Sequence, residues 1–211
     1  FRLASTRCLE KGGTALGKAL GFCTKLKDLD LSDNAFNLEG AKAVASSIQN
    51  MSKLRVLNLA DLSLTCEGTI EVCRAIRGQD AIEELYLSFN EAGEDGALEI
   101  AKTIETLPKL RVLNLECNEF GDDGISTLCS SLSRCENLES LNLKSNEIGN
   151  VGARKLLNAL PKSLKCLQLD ENEMSDKMIK KMKFSLKSIE FTCEDCMGDE
   201  DEEDEEDDPD Y

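Results

Sequence analysis

Two short segments of this chain have residue types and spacings that perform chemistry in other proteins. Residues 12–19 read G-G-T-A-L-G-K-A, which misses the phosphate-binding pattern G-x-x-x-x-G-K-[ST] because Ala19 stands where a hydroxyl would bind magnesium. Cys193 and Cys196 form a C-x-x-C pair, but neither a second pair nor a histidine accompanies it, although a zinc site uses four ligands. The sequence therefore predicts neither a nucleotide site nor a metal site, and no cofactor.

Acid–base catalysis in this chain would depend on carboxylates, because the chain contains no histidine. Paired carboxylates such as Glu83-Glu84 and Asp122-Asp123 fall at predicted strand edges and in loops, where charged side chains are ordinarily solvated. No feature of the sequence marks one of them for a shifted pKa. We therefore expect the chain to have no enzymatic activity of its own.

The ten cysteines raise the question of the compartment in which the chain folds. Cys73 and Cys129 recur at positions that Ala45 and Ala101 occupy in neighbouring repeats, which indicates buried, reduced thiols rather than a disulfide framework. The sequence has no signal peptide, no membrane span and no polybasic patch. These features argue against secretion, membrane insertion and nucleic-acid binding.

The elements that position these residues are repeats of constant length. The phrase L-x-x-L-x-L-x-x-N recurs, as in residues 26–34, and its period lies within the range of leucine-rich repeats. The pattern predicts an α/β fold, a leucine-rich repeat solenoid of the ribonuclease-inhibitor-like horseshoe type. A parallel sheet would line its concave face, with helices outside. The first position of the phrase is occupied at equal intervals by Leu26, Leu54, Ile82, Leu110 and Leu138, and after a slightly shorter interval by Leu164.

Each position of the repeat has a predicted structural role. The two leucines of L-x-L point inward from a short strand, while the residue between them faces solvent. An asparagine side chain then forms hydrogen bonds with the backbone where the chain turns. In one repeat Leu62 takes the place of this asparagine, so the backbone groups of that turn must have other hydrogen-bond partners. Six residues later a glycine column marks the start of a helix. The asparagine column comprises Asn34, Asn90, Asn118, Asn146 and Asn172.

The two ends of the repeat array differ from its middle. Phe1 and Leu3 stand one full repeat before Leu29 and Leu31, so we expect the chain to begin within a strand and further repeats to precede it. Towards the other end, the strand phrase occurs once more at residues 186–191, after a shortened interval. We expect a repeat domain at residues 1–193, with about six 28-residue repeats and a short closing repeat.

The C-terminal segment differs from the repeats in charge. Residues 194–211 contain 13 acidic residues and no lysine or arginine, and residues 199–208 are all acidic. The remaining 28 acidic residues nearly balance the 25 basic ones, so this segment supplies most of the net charge of −16. Such a run predicts a disordered acidic tail. It serves either solubility or contact with basic proteins.

With repeats and tail considered together, the chain resembles the Ran GTPase-activating protein family, most closely its plant and algal members. Repeat length alone is weak support, because other ribonuclease-inhibitor-like proteins share it; the number of repeats before the acidic run is stronger. The matching segments are Phe1-Arg2, Ser5-Thr6-Arg7, Gly12-Gly13, Leu29-Asp30-Leu31 with Asp33-Asn34, Glu67-Gly68-Thr69, Gly152-Ala153-Arg154 and the run from Asp199.

The resemblance implies a function without chemistry of the chain's own. Ran holds GTP, magnesium and the glutamine that orients the attacking water, and the activator orders that glutamine. The activating arginine and asparagine lie in the N-terminal half of the family's array, which precedes Phe1 in our alignment. A competing register aligns residues 29–36 with an early family repeat and brings Arg7 near the activating arginine, but leaves too few repeats before the tail.

The predicted binding surface is the concave face. Tyr86 is a candidate interface anchor, and so is Phe89 unless it packs into the turn before Asn90. The candidate partner-binding residues are Asp30, Asp33, Asp61, Glu84, Tyr86, Phe89 and Glu116. The expected partners are a Ran-like small GTPase and, through the tail, basic proteins.

The resemblance implies a role in nucleocytoplasmic transport, in the cytoplasm and at the nuclear envelope. Two alternatives stay open: a generic leucine-rich repeat interaction scaffold, and an acidic leucine-rich nuclear protein that binds histones. Proteins of the second class have shorter repeats with little regular helix, unlike the repeats predicted here.

Overall fold

The computed structural model describes residues 1–197, in which helices and short strands alternate along the chain. The helices are α1 (Glu10–Leu20), α2 (Asn37–Ile48), α3 (Thr65–Ile76), α4 (Gly93–Ile104), α5 (Gly121–Leu132), α6 (Asn150–Ala159) and α7 (Asp176–Ser185). The strands are β1 (Asp28–Asp30), β2 (Val56–Asn58), β3 (Glu84–Tyr86), β4 (Val112–Asn114), β5 (Ser140–Asn142), β6 (Cys166–Gln168) and β7 (Glu190–Thr192). The predicted α/β repeat architecture is confirmed.

All strands of the described chain form one parallel sheet in the order β1 to β7, so each repeat contacts only its neighbours. The register follows the sequence period: Leu29 pairs with Leu57, and the interval shortens at the end of the sheet, where Leu167 pairs with Phe191. The shortened closing repeat predicted at residues 186–191 is therefore present. The strand phrase at the start of the chain is also paired, since Arg2 forms a parallel bridge with Asp30.

The core lies between the sheet and the helices. The central leucine of each strand from β1 to β6, such as Leu57 or Leu113, is fully buried, while its two neighbours lie on the opposite face. Apolar residues recur every three or four positions along the helices, as Val44 and Ile48 do. They cover the face of the sheet that carries these central leucines. The apolar positions that repeat along the sequence are thus the positions that form the core.

Asparagine side chains close the turns after β1, β3, β4, β5 and β6. The amide of Asn146 donates to the carbonyl oxygens of Leu115 and Lys144, and its Oδ1 accepts from the backbone N–H of Asn118 in the preceding repeat, at 3.0 Å. Where Leu62 replaces the asparagine, the N–H of Asn34 donates instead to the carbonyl oxygen of Asp61, at 3.1 Å. The expectation that this turn is satisfied differently is therefore correct, and the backbone supplies the replacement.

Helix α6 begins at a cap supplied by the neighbouring repeat. Its flanking residue Gly149 and its third residue Gly152 both donate their backbone N–H to Oδ1 of Asp122 in α5, at 2.8 Å each. A carboxylate in this position satisfies two otherwise unpaired donors and complements the positive end of the helix. Asp122 therefore couples two adjacent repeats.

We expect Asp122→Ala to lower the free energy of unfolding by about 1–2 kcal/mol, the usual cost of losing a helix cap. Urea denaturation followed by circular dichroism measures this loss. Asp123→Ala is the matched control, because Asp123 is exposed on the same turn and caps no neighbouring helix. Its cost should stay within about 0.5 kcal/mol. Equal losses for the two variants would contradict the capping role.

The described part of the closing repeat reaches Met197. The N–H of Glu194 donates to Oδ1 of Asp170 at 2.9 Å, and the N–H of Met197 donates to the carbonyl oxygen of Asn172 at 3.0 Å. Residues 194–197, assigned to the tail from composition, thus bond to the preceding repeat. The rest of the predicted disordered tail, residues 198–211, lies outside the described residues.

Candidate functional site

The candidate surface is the sheet face opposite the helices, which we call the concave face. On it, the first and third residues of each strand point away from the core, followed by the two residues before each asparagine of the turn. In the described chain this surface carries the acidic side chains of Asp28, Asp30, Asp33, Asp61, Glu84, Glu116, Asp170, Glu171, Glu190, Glu194 and Asp195. Carboxylates therefore dominate it.

Aspartates occupy the part of the concave face near β1 and β2. The carboxylate of Asp30 is 3.0 Å from the guanidinium of Arg2 and accepts a hydrogen bond of 2.7 Å from the hydroxyl of Ser32. Asp33 and Asp61 follow β1 and β2 at equivalent positions, and both are exposed. Two of these three aspartates thus point freely towards solvent, whereas Asp30 is partly neutralised.

Tyr86 and Glu84 form a pair on β3. The phenol hydroxyl donates to Oε2 of Glu84 at 2.8 Å, and burial together with this carboxylate raises the pKa of Tyr86 to about 12. The hydroxyl therefore stays protonated at neutral pH and holds Glu84 in one position. The parallel register places Tyr86 between Asn58 and Asn114, in the middle of a polar row. The pair is consequently prearranged for contact with a partner.

Phe89 points out of the turn after β3. The residue is 48% exposed, so about half of its surface is open to solvent and the ring is not enclosed in the turn. Its backbone has φ of 58°, in the left-handed region, as does the backbone at the equivalent Asp33 and Asp61. Because this conformation recurs in successive repeats, the residue before the asparagine is displayed at the rim of the face. Phe89 is thus an exposed aromatic among carboxylates.

Glu116 and Lys144 continue the face towards β6. Glu116 accepts a hydrogen bond of 3.0 Å from the side chain of Asn142, and Lys144 forms an ion pair of 2.8 Å with Asp170. Burial alone would raise the pKa of Asp170, but hydrogen bonds from Lys144, Thr192 and a backbone N–H lower it overall. Lys144 is therefore neutralised and does not offset the other carboxylates.

The seven predicted residues all lie on one stretch of the face, from β1 to the loop after β4. Asp33, Asp61 and Phe89 form one column across three repeats, while Glu84 and Tyr86 share a strand. Sequence reasoning did not select Asp170, although it occupies the position of Lys144 one repeat later. The repeat that runs from Leu138 to Leu164 is slightly shorter than the others. Adding this shorter interval to the position of Lys144 leads to Asp170, so the sequence contained the signal.

The motifs that resemble catalytic sites have structural roles. Residues 12–19 lie within α1, where an added Cβ at Gly13 would come within 2.7 Å of the Phe36 ring and one at Gly17 within 2.5 Å of the Ala43 backbone. These glycines allow α1 to approach α2.

The buried cysteines are core residues with protonated thiols. Burial raises the pKa of Cys73 to about 12 and the pKa values of Cys129 and Cys135 to about 11. A thiol must lose its proton to act as a nucleophile or metal ligand, and these remain neutral near pH 7. Among residues 1–197, no cluster of three or more histidine, cysteine or acidic residues is arranged to hold a metal ion.

A second row of charges runs along the opposite ends of the strands. The guanidinium of Arg55 bonds Glu83 at 2.8 and 3.0 Å, and Arg111 bonds Glu139 at 2.9 Å. Hydrogen bonds from these arginines lower the pKa values of Glu83 and Glu139. Basic residues of the neighbouring repeats thus neutralise both glutamates of this row, in contrast with the acidic concave face.

Comparisons with known proteins agree with this architecture. The family described as "Leucine Rich repeat" matches residues 22–45, 106–129 and 134–157. A protein from Bacteroides fragilis, known from its crystal structure, is 16% identical with a TM-score of 0.51 over 90% of this chain. The chain covers 61% of that protein's length, and at this identity the likeness shows the fold alone. No curated protein sequence matches.

A helix that crosses a bilayer must be both long and apolar. None of the helices in residues 1–197 combines the length and the apolar character needed to cross a bilayer.

Proposed function

We propose that this leucine-rich repeat protein binds a Ran-like small GTPase through its concave face and forms part of an activator of that GTPase. A repeat solenoid is a protein-interaction scaffold, because its stacked strands offer one long open surface. The single observation that supports our choice of surface is the exposed Phe89 beside the Tyr86–Glu84 pair, surrounded by carboxylates. The family resemblance supports the choice of partner.

The charge of the concave face favours a basic partner. Asp33 and Asp61 are exposed, while Lys144 is already paired with Asp170. Complementary charge accelerates the encounter of two proteins and disfavours partners of like charge. Since the overall charge of the chain is −16, long-range attraction acts in the same direction. A GTPase would have to present lysine or arginine side chains to this face.

The aromatic residues supply the remaining part of the interface. Tyrosine and other aromatic side chains contribute large contact areas, and such residues are frequent among those that dominate binding energies. Phe89 already holds an exposed conformation, and Tyr86 is held by Glu84, so little ordering is required when a partner binds. Carboxylates around them would provide the polar rim.

The proposed mechanism requires no catalytic group in this chain. A small GTPase holds its own nucleotide, magnesium and water-orienting glutamine, so an activator contributes by ordering that machinery. Contacts through the concave face would orient the GTPase relative to the family's activating residues, which no residue of this sequence matches in our alignment. The corresponding sites of action would be the cytoplasm and the nuclear envelope.

We expect Tyr86→Ala and Phe89→Ala each to weaken binding to GTP-loaded Ran by about 10–30-fold, the effect of losing an interface anchor. Calorimetry or surface plasmon resonance measures the dissociation constant. Phe184→Ala is the matched control, because Phe184 is 72% exposed on the outer helix α7 and lies near Lys187. Its affinity should be unchanged. Equal effects of all three substitutions would remove the concave face from the proposal.

We also expect charge reversal on the concave face to act mainly on the association rate. Asp61→Lys and Glu116→Lys should slow association several-fold at low salt, and added salt should reduce the difference because the Debye length falls to about 8–10 Å. Glu136→Lys makes the same charge change in the exposed loop before β5 and serves as the control. Association rates that are equal for all variants across a salt series would contradict the proposal.

The two alternatives make different predictions in the same assays. A generic scaffold would show no binding to Ran at any salt concentration, with the wild-type chain and every variant behaving alike. A histone-binding protein of the acidic leucine-rich type would prefer core histones to Ran. The regular helices of 10–12 residues in the described repeats do not favour this second class.

A further inference from the structure

The C-x-x-C pair occupies a specific place in the repeat pattern of the closing turn. The register of β6 and β7 pairs Leu167 with Phe191. Continued along both segments, this register aligns Leu169 with Cys193 and Asn172 with Cys196. Leu169 and Asn172 are the last leucine and the asparagine of the preceding repeat. The two cysteines thus stand where the repeats other than that of Leu62 close their turns with a leucine and an amide.

The thiol of Cys196 reproduces only part of the missing amide's function. Asn172 donates to the carbonyl oxygens of Leu143 and Leu169 at 3.1 and 2.9 Å, and its Oδ1 accepts two backbone N–H bonds at 3.0 Å. Cys196 donates to the equivalent carbonyl of the repeat before it, that of Leu169, at 3.6 Å. A thiol is a weak donor, so this turn is held less firmly than the turns that an asparagine closes.

The two sulfur atoms lie close together. Sγ of Cys193 and Sγ of Cys196 are 2.9 Å apart, and a disulfide requires about 2.0 Å, so a shift of about 0.9 Å would join them. Backbone hydrogen bonds hold both sides of the pair: the N–H of Glu171 donates to the Glu194 carbonyl oxygen at 2.8 Å, and Met197 donates to the Asn172 carbonyl oxygen. The loop therefore brings the thiols together before any oxidation.

We propose that Cys193 and Cys196 form a site of reversible thiol–disulfide modification, in which a disulfide replaces the missing asparagine as the closure of the last repeat. The position supports this role. In the preceding turn, the side chain of Asn172 donates a hydrogen bond to the carbonyl oxygen of Leu169, and the disulfide would join the two equivalent positions covalently. The paired arrangement distinguishes them from Cys23, which is exposed in the loop after α1.

The oxidant is a low-molecular-weight disulfide such as oxidised glutathione. The less buried thiol, Cys196, loses its proton and attacks one sulfur of the oxidant, which releases one thiolate and leaves a mixed disulfide on Cys196. Cys193 then loses its proton and attacks the Cys196 sulfur, which expels the second thiolate. The two protons pass to the two released thiolates. The protein loses two electrons, and the small disulfide gains them.

Of the two thiols, Cys193 is the one that reacts in the second step. Its side chain is 5% exposed, and burial, followed by the neighbouring Cys196 thiol, raises its pKa well above the usual range. Attack therefore begins at Cys196, and Cys193 acts as the resolving thiol from within the core. The buried position also protects the finished disulfide from reduction, because incoming thiols reach it only through Cys196.

The first experiment maps the disulfide in the full chain. The protein is equilibrated in glutathione buffers of increasing oxidised fraction, free thiols are alkylated, and peptides are analysed by mass spectrometry. We expect the peptide containing both cysteines to lose two hydrogens and to escape alkylation, while Cys23 stays alkylated. A stable glutathione adduct on Cys196 with Cys193 still alkylated would overturn the proposal, and so would binding of one equivalent of zinc by the reduced pair.

The second experiment tests the consequence for the closing turn. Oxidation should slow amide exchange in residues 189–197 at least about tenfold, because the disulfide restrains the local opening of this end. Cys196→Ser should abolish the redox dependence. Cys196→Asn restores the amide of the column, so it should protect the same residues without oxidant. Identical exchange in oxidised and reduced wild-type protein, or no protection by the asparagine variant, would overturn the proposed role in closure.

Discussion

Replacing Asn90 with alanine should lower the free energy of unfolding by about 3–5 kcal/mol, the largest effect that we expect from a single polar substitution. The side chain is fully buried, and its Oδ1 accepts from the N–H groups of Leu62 and Leu64 at 3.1 and 3.3 Å. Its amide donates to three carbonyl oxygens, those of Leu59, Leu87 and Ser88. Alanine would leave two buried donors without an acceptor.

Chemical denaturation measured by circular dichroism tests the role of Asn90. The matched control is Asn137→Ala, since Asn137 is exposed and donates one hydrogen bond, of 2.8 Å, to the carbonyl oxygen of Pro108. The control should lose no more than about 0.5 kcal/mol. A loss below about 1 kcal/mol for Asn90→Ala would mean that the backbone of this repeat rearranges, as the backbone beside Leu62 does.

The second large effect concerns the reaction that the proposed partner performs. In a single-turnover assay, addition of this chain should leave the rate of GTP hydrolysis by Ran unchanged within about twofold, whereas an activating contact of the arginine-finger kind accelerates such reactions by about 10³–10⁵-fold. The reason is that, in our alignment with the family, no residue of this sequence takes the place of the activating arginine or asparagine. Intact Ran GTPase-activating protein, assayed in parallel, shows that the Ran preparation responds.

Arg7 provides the decisive control for this prediction. It is exposed in the loop before α1, with a left-handed φ of 53°, at the position equivalent to Ala35 in the next repeat. Strong acceleration by the wild-type chain that Arg7→Ala abolishes would favour the competing register, in which this residue takes the activating role. Binding of Ran without acceleration would instead support our alignment and the proposed use of the concave face.

Binding and acceleration therefore report on different parts of the proposal. Tyr86→Ala and Phe89→Ala address the surface on which a partner docks, while the hydrolysis assay addresses which residues are present to order the partner's glutamine. The redox experiments on Cys193 and Cys196 involve no partner, so their outcome is independent of both. Failure of the Ran assays would leave the interaction scaffold and the closing disulfide in place.

The sequence by itself determined the architecture. The constant interval between repeats sets the strand register, because the parallel pairing of Leu29 with Leu57 recurs at each turn of the solenoid. The leucine positions predicted the core, and the asparagine column predicted the buried turns. These features were readable because each repeat contacts only its neighbours, so that sequence spacing converts directly into spatial position.

Only the tertiary structure decided how individual side chains are used. Phe89 was equally compatible with a packed or an exposed ring until the left-handed backbone placed it outside. Asp122 was one carboxylate among many until the packing of α5 beside α6 made it a cap. Cys193 and Cys196 were only a spacing in the sequence until the chain after β7 placed their sulfur atoms 2.9 Å apart. Such outcomes depend on the angles and short distances between neighbouring elements, which the spacing of residue types does not encode.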